Sequence, residues 1–295
     1  MTYYLMVATG ITVNLIAILS MYVLLGLTGI FSMGQASFMC VGAYTAGMIV
    51  MRLPFDVPMT LVLVLAAAAG LFSAFLVGLP VIKLRRDYIA LITLGFGEAI
   101  VAIINHASNI TGGAMGISRI PRLMTLPLGL LILAIVLYLV INFKNSKYGR
   151  QCIAIKNDEI SAAAMGINVA RTKLLAFVFA GGLTALSGAM FAYNATFVEP
   201  MAFGVWRTVD WISIVFVGGV NSLTGSTLSG IVFGILPEAL RVMDALRIIT
   251  QCAIVLLIVN FMPRGLLGEF EIWHLPKWIK DMKNGKKLAV KKRQK

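Results

Sequence analysis

Charge is scarce in this chain: Asp, Glu, Lys and Arg make up 13% of its 295 residues, and the acidic share is 12 side chains. With a mean hydropathy of +0.92, too little polar sequence is left to build a water-soluble domain of useful size. Three cysteines, Cys40, Cys152 and Cys252, stand far apart without paired spacing, which argues against a disulfide framework or a metal site. The two histidines, His106 and His274, support neither metal ligation nor a catalytic dyad. Nucleotide-hydrolysing motifs are also missing, because Gly285-Lys286 lacks both the preceding glycine and the following hydroxyl of a phosphate-binding loop. No carboxylate pair or nucleophile–base set appears either, so nothing points to an enzyme, a catalytic residue or a bound cofactor. The net charge of +13 sits in short flanking stretches rather than in a basic domain, which excludes nucleic acid as the partner these residues describe.

What remains is apolar. Hydrophobic residues form 59% of the sequence and fall into runs near the roughly 20 residues that cross a bilayer. The expected fold is all-α: a polytopic transmembrane helical bundle of eight or nine spans, one membrane domain over residues 1–295, with the lipid bilayer as its solvent. No charged segment with a short apolar core and a small-residue cleavage site opens the chain, so the first apolar run is expected to stay as a membrane helix. Spans are expected at about 4–25, 30–51, 59–82, 88–105, 128–143 and 174–193. Shorter or interrupted apolar segments follow at 209–220, 227–236 and 248–261. The second span holds Gly34, Gly42 and Gly47 with Ser32, Gln35, Ser37 and Tyr44, a composition that serves close helix packing or a polar pathway equally well. Glu98 lies midway along the fourth span, and the cost of an isolated carboxylate in hydrocarbon predicts that it faces the protein interior or a wet cavity.

Residues 144–173 form the one long polar interruption in the middle of the chain. Asn157 is expected as an N-cap, Asp158 and Glu159 carry negative charge in a first turn, and Gly166 suits a left-handed terminus. A helix of barely two turns results, apolar on both faces, with Ile160, Ala163, Ala164 and Ile167 on one and Ser161, Ala162 and Met165 on the other. Such a helix suits contact with the membrane body below and a soluble partner above. A positively charged inner loop that merely sets topology is the plainer alternative. Counting charge orients the chain: 83–87, 144–173 and the tail from 263 hold 3, 6 and 10 of the 25 basic residues, which predicts an external N-terminus and a cytoplasmic C-terminus. The tail (263–295), with Trp273, Trp278 and its lysines, reads as an interfacial anchor or a solvated extension.

Several fragments together resemble a known family. Gly26-Leu-Thr-Gly-Ile-Phe-Ser-Met-Gly-Gln-Ala-Ser-Phe, Leu84-Arg-Arg-Asp-Tyr, Thr93-Leu-Gly-Phe-Gly-Glu98, Gly149-Arg150 with Asn157 to Ile167, and Pro263-Arg-Gly-Leu-Leu-Gly are similar to the permease subunits of branched-chain amino acid ABC importers, LivM type, within the LivH/LivM family. The resemblance implies a bacterial plasma (inner) membrane protein translocating branched-chain or related small amino acids by alternating access. Its implied partners are two ABC ATPase subunits of LivG/LivF type, a second permease subunit of LivH type and an extracytoplasmic substrate-binding protein. It implies that 144–173 is the ATPase-coupling loop, with Gly149, Arg150, Asp158, Glu159, Ala162, Ala163, Met165, Gly166 and Ile167 as coupling residues. Ser32, Gln35, Ser37, Tyr44, Thr93 and Glu98 become candidates for the translocation pathway. Gln35 departs from the family, which often carries histidine there, and so removes a titratable group from the position. A stand-alone secondary transporter or channel for a small polar solute is the alternative; the lack of intramembrane charge pairs speaks against it.

Overall fold

The computed structural model describes residues 2–52, 57–82, 84, 86–239, 246–262, 265, 266 and 268. The first span is longer than its composition announces. Helix α1 (Thr2–Met21) widens into a π-helical turn over Tyr22–Thr28, giving one apolar element from Tyr3 to Thr28. The Thr28 hydroxyl and the Ile30 N–H both donate to the Leu24 carbonyl (2.5 and 3.0 Å), and Gly29 closes the turn in the left-handed region (φ 67°).

The second span is shorter, because residues 29–34 are not helical and α2 runs from Gln35 to Arg52. Irregular backbone at membrane depth is tolerated only inside protein, where its polar groups find partners. Here the Met33 N–H donates to Thr93 Oγ1 (3.1 Å) and the Ala36 N–H to Thr208 Oγ1 (3.0 Å). A side chain at Gly34 would strike the Thr93 carbonyl, so the break lies directly against the next hairpin.

That hairpin pairs α3 (Met59–Val81) with α4 (Arg86–His106). The following connection is mostly irregular, as expected, with a short turn α5 (Ser108–Thr111) and an antiparallel bridge from Ile117 to Val198. Helix α6 (Leu126–Asn145) returns across the bundle to α7 (Lys147–Asn157) and α8 (Glu159–Ala164). The core is built on α9 (Val169–Ala195), against which α1, α2 and α3 pack. Small residues permit this approach: a Cβ on Gly42 would collide with the Ala185 backbone, one on Gly188 with the Met39 carbonyl, and one on Gly181 with Ala74. Hydroxyls cross the same seam, with Ser20 Oγ 2.6 Å from Thr184 Oγ1 and Ser187 donating to the Val13 carbonyl (2.8 Å).

Helices α10 (Val205–Gly218) and α11 (Leu223–Ala239) meet through Gly218 and Gly225, and α12 (Leu246–Phe261) completes the described bundle. Each of the nine expected apolar segments contains a helix. Among the described residues, six are long and apolar enough to cross a membrane, so the expected count of eight or nine is not confirmed. The described parts of α11 and α12 hold 17 and 16 residues, and the 18 residues of α2 include Gln35, Ser37, Thr45 and Arg52. Apart from Gly265, Leu266 and Gly268, the basic tail lies outside the described residues. The Leu266 N–H donates to the Val217 carbonyl (2.8 Å) and ties its start to the end of α10.

Candidate functional site

The polar stretch 144–173 folds into two short helices set at a corner. Ser146 is extended and caps α7, its hydroxyl accepting from the Gly149 N–H (3.2 Å). Gly149 is the residue that permits the corner, because any side chain there would meet the Phe143 and Lys144 carbonyls. Arg150 is exposed and donates to the Asn145 carbonyl (2.7 Å). Helix α7 buries Gly149, Cys152 and Ile155, and burial pushes the Cys152 thiol up to about 12.

The N-cap of α8 is Asp158, not Asn157, which is the last residue of α7. A carboxylate accepts more bonds than an amide oxygen does: Asp158 takes the Ile160 N–H (2.9 Å), the Ser161 N–H (3.2 Å) and the Ser161 hydroxyl (2.6 Å). The Ser161 hydroxyl and these amides hold its carboxyl below the ordinary carboxylate range. Gly166 ends the helix at φ +81°, with its N–H on the Ala163 carbonyl (3.0 Å) and the Ile167 N–H on the Ala162 carbonyl (3.2 Å). Those are the paired bonds of a Schellman terminus. Of the two apolar faces expected, Ala162 alone is buried, with Ile167 partly covered. Ala163 is exposed, and Ile160 and Met165 are each 84% exposed.

Three lysines join this protruding unit to the membrane body. Lys173, in the first turns of α9 and 2% exposed, makes a 2.7 Å ion pair with Glu159. Lys156 donates to the Gly26 carbonyl in the widened turn (2.7 Å) and to Asn221 Oδ1 between α10 and α11 (2.6 Å). Lys144 donates to the Tyr22 hydroxyl (3.0 Å) and lies 5.7 Å from the centre of its ring. Sequence reasoning counted these lysines as topology charges and missed their contacts. The available signal was Lys173, which begins a span rather than preceding it.

The polar residues of the second and fourth spans divide. Ser32, Gln35, Ser37, Tyr44 and Thr93 are all buried. Gln35 Nε2 donates to Thr184 Oγ1 (2.8 Å), and Ser37 bonds back to the Gly34 carbonyl (2.6 Å). Ser32 Oγ, Gln35 Oε1 and the Tyr44 hydroxyl have no hydrogen-bond partner among the described residues. Glu98 departs from expectation: it is exposed on the outer side of α4, beside Gly95, while Gly97 on the opposite side packs against Gly34. Packing of α4 through Thr93 and Gly97 turns the Glu98 side of the helix away from this chain's own core.

Residues 3–259 match the family model described as the permease component of branched-chain amino acid transport systems. The chain belongs to this permease family. It is 29% identical to the high-affinity branched-chain amino acid transport permease LivM of Escherichia coli, over 88% of this chain and 69% of that protein. Similarity to the LivH permease of Salmonella typhimurium is 24% over 90% of this chain and 94% of the other. The ribose import permease RbsC of Haemophilus influenzae is 25% identical over 69% of this chain and 66% of its own length. No solved structure matches. The permease is thus a multi-pass membrane protein and a transport subunit of an ATP-binding-cassette importer.

Proposed function

We propose that this permease carries branched-chain or related small amino acids inward by alternating access, with residues 144–173 transmitting the state of two ATPase subunits to the membrane helices. The observation that carries this reading is the lysine-anchored α7–α8 unit, which presents Ile160 and Met165 outward while Lys156 holds the ends of two broken membrane segments. Exposed apolar side chains on a capped, anchored helix form a docking knob, and burying two such residues contributes about 3–6 kcal/mol before ordering costs. Movement of α7 is carried to Gly26 and Asn221 by direct bonds. The loop biases the equilibrium only as far as its contacts differ between ATPase states. A second permease subunit of LivH type covers part of the outer surface, and the α4 side bearing Glu98 is the part we assign to it, so that Glu98 borders the shared pathway. An extracytoplasmic binding protein delivers substrate, the N-terminus is external, and the basic tail is cytoplasmic in a bacterial inner membrane.

The test uses the complete importer in proteoliposomes. Ile160→Glu with Met165→Glu should abolish binding-protein-stimulated ATP hydrolysis and release the ATPase from tagged permease, while the permease inserts normally. Wild-type stimulation and pull-down in that variant would remove the coupling assignment.

A further inference from the structure

A cavity of about 200 Å³ opens between α1, α10 and α11, lined by neither Gln35 nor the coupling helices. It has room for about six waters at roughly 30 Å³ each, the scale of a small solute rather than of a drug-sized ligand. Its lining combines Arg207, Asp210 and Asn14 with the apolar walls Ile18, Ile214 and Phe233. Asn14 and Ile18 lie near the middle of the Tyr3–Thr28 span, so the cavity reaches from the first turns of α10 toward an apolar span, where ionisable groups are costly unless they have work to do.

The two charges do not form a direct ion pair. Although three residues apart on one helix, they make no N–O contact within the 4.0 Å of an ion pair. Aromatic side chains hold Arg207 instead: its guanidinium lies 4.6 Å from the Phe191 ring centre, 5.5 Å from Phe203 and 6.0 Å from Trp211, and it donates one bond to the Ala202 carbonyl (3.1 Å). A planar donor group fixed in this way retains N–H groups to offer to a carboxylate. Asp210 is exposed at the cavity and offers acceptors to an ammonium. Glycines let α11 approach α1 beside the cavity: a side chain at Gly230 would crowd Leu15 and Ile18, and one at Gly234 would crowd Ile11.

We propose that this cavity is a binding site for the zwitterion of a free aliphatic amino acid, with Arg207 on the carboxylate, Asp210 on the ammonium and Ile18, Ile214 and Phe233 around the side chain. The site rests on the importer reading and adds to it a selection step inside the membrane, independent of the binding protein. Requiring both charges disfavours amino-acid derivatives that have lost either one, because Arg207 or Asp210 would then lack its counterpart.

The experiment measures tritiated leucine on the purified permease–ATPase complex in nanodiscs without binding protein, alongside binding-protein-dependent leucine uptake by the reconstituted importer. Saturable binding is expected, displaced by leucine but at least tenfold less well by leucinamide, which has no carboxylate, or by 4-methylpentanoate, which has no ammonium. Arg207→Gln and Asp210→Asn should each weaken binding and uptake tenfold or more, with complex recovered in wild-type amounts and Arg207→Lys intermediate. Should Arg207→Gln fail to assemble, Asp210→Asn decides, since Asp210 is exposed. The site is overturned by wild-type binding and uptake in Asp210→Asn, by equal displacement with all three compounds, by no saturable binding in wild type, or by a phospholipid that leucine cannot displace. Absence of uptake of any amino acid by the wild-type importer would instead remove the importer reading's substrate.

Discussion

Lys173 and Glu159 form an unequal pair, and the inequality determines which partner can be removed. Lys173 is 2% exposed, whereas Glu159 is 45% exposed and partly solvated. Glu159→Ala leaves a buried ammonium without its partner, which should cost about 1–3 kcal/mol, toward the lower end because water reaches the site. Lys173→Met removes the buried charge and leaves a carboxylate that water can satisfy, so the expected cost is below about 1 kcal/mol. Thermal unfolding of the purified permease checks the order: Glu159→Ala should lower Tm more than Lys173→Met, and the double variant should return toward wild type. Equal shifts would mean that the ion pair does not anchor α8. Asp158 behaves differently, because its carboxyl is held below its ordinary range. The stability it contributes is complete above the unfolded value of about 3.9 and is lost as pH falls through the lower folded value. Coupling should therefore show no Asp158-dependent change between pH 5 and 8, an interval of about the usual stability maximum. At this scale the sequence made the Gly166 terminus legible but not the cap, since Asn157 and Asp158 are equally good N-cap residues by type. The length of α7 decides between them, and that depends on Cys152 and Ile155 being buried.

Glycine carries opposite consequences in α2 and in α4. Gly42 in α2 lies against the Ala185 backbone, which cannot rotate away as a side chain can, so Gly42→Val must separate α2 from α9. Overpacking of this kind costs about 1–3 kcal/mol or more. Gly95 in α4 faces open space within the chain, and Gly95→Val should leave the isolated permease folded. Size-exclusion profiles of detergent-solubilised protein separate the cases: Gly42→Val should aggregate and Gly95→Val should elute as wild type. Loss of folded protein in Gly95→Val would show that α4 packs against its own chain on that side. If Gly95→Val instead spares the fold but loses the second permease subunit on co-purification, the outer side of α4 is the subunit interface. Apolar runs and clustered small residues made most helices and the α2 packing side readable. The break at 29–34 was not readable, because Ile30 and Phe31 look like span interior and the groups that satisfy the broken backbone, Thr93 and Thr208, lie far away in sequence.

At the scale of the whole molecule, charge is unevenly distributed, with 19 of 25 basic residues in the stretches proposed as cytoplasmic. Part of that charge is structural: Lys144 and Lys156 bind groups of the membrane body and Lys173 of α9 binds Glu159 of α8, so the topology signal and the anchors of the α7–α8 unit are the same residues. Labelling native thiols is a poor test of orientation. Cys152 is buried with its thiol pushed up to about 12, and Cys40 is buried as well, whereas the exposed Cys252 lies on α12. Exposed reporters in a cysteine-free background avoid this difficulty. Met165→Cys places a thiol on the protruding end of α8, and Trp206→Cys places one before the last group of helices, at a residue also 84% exposed. With an external N-terminus, an impermeant maleimide added to spheroplasts should label the Trp206→Cys variant and spare Met165→Cys. Inside-out vesicles should reverse the result, and adding ATPase subunits to stripped vesicles should then protect Met165→Cys alone. Labelling of Met165→Cys in intact spheroplasts would invert the topology, move the lysine-anchored unit to the outer side and leave the exposed Ile160 and Met165 without an ATPase to meet.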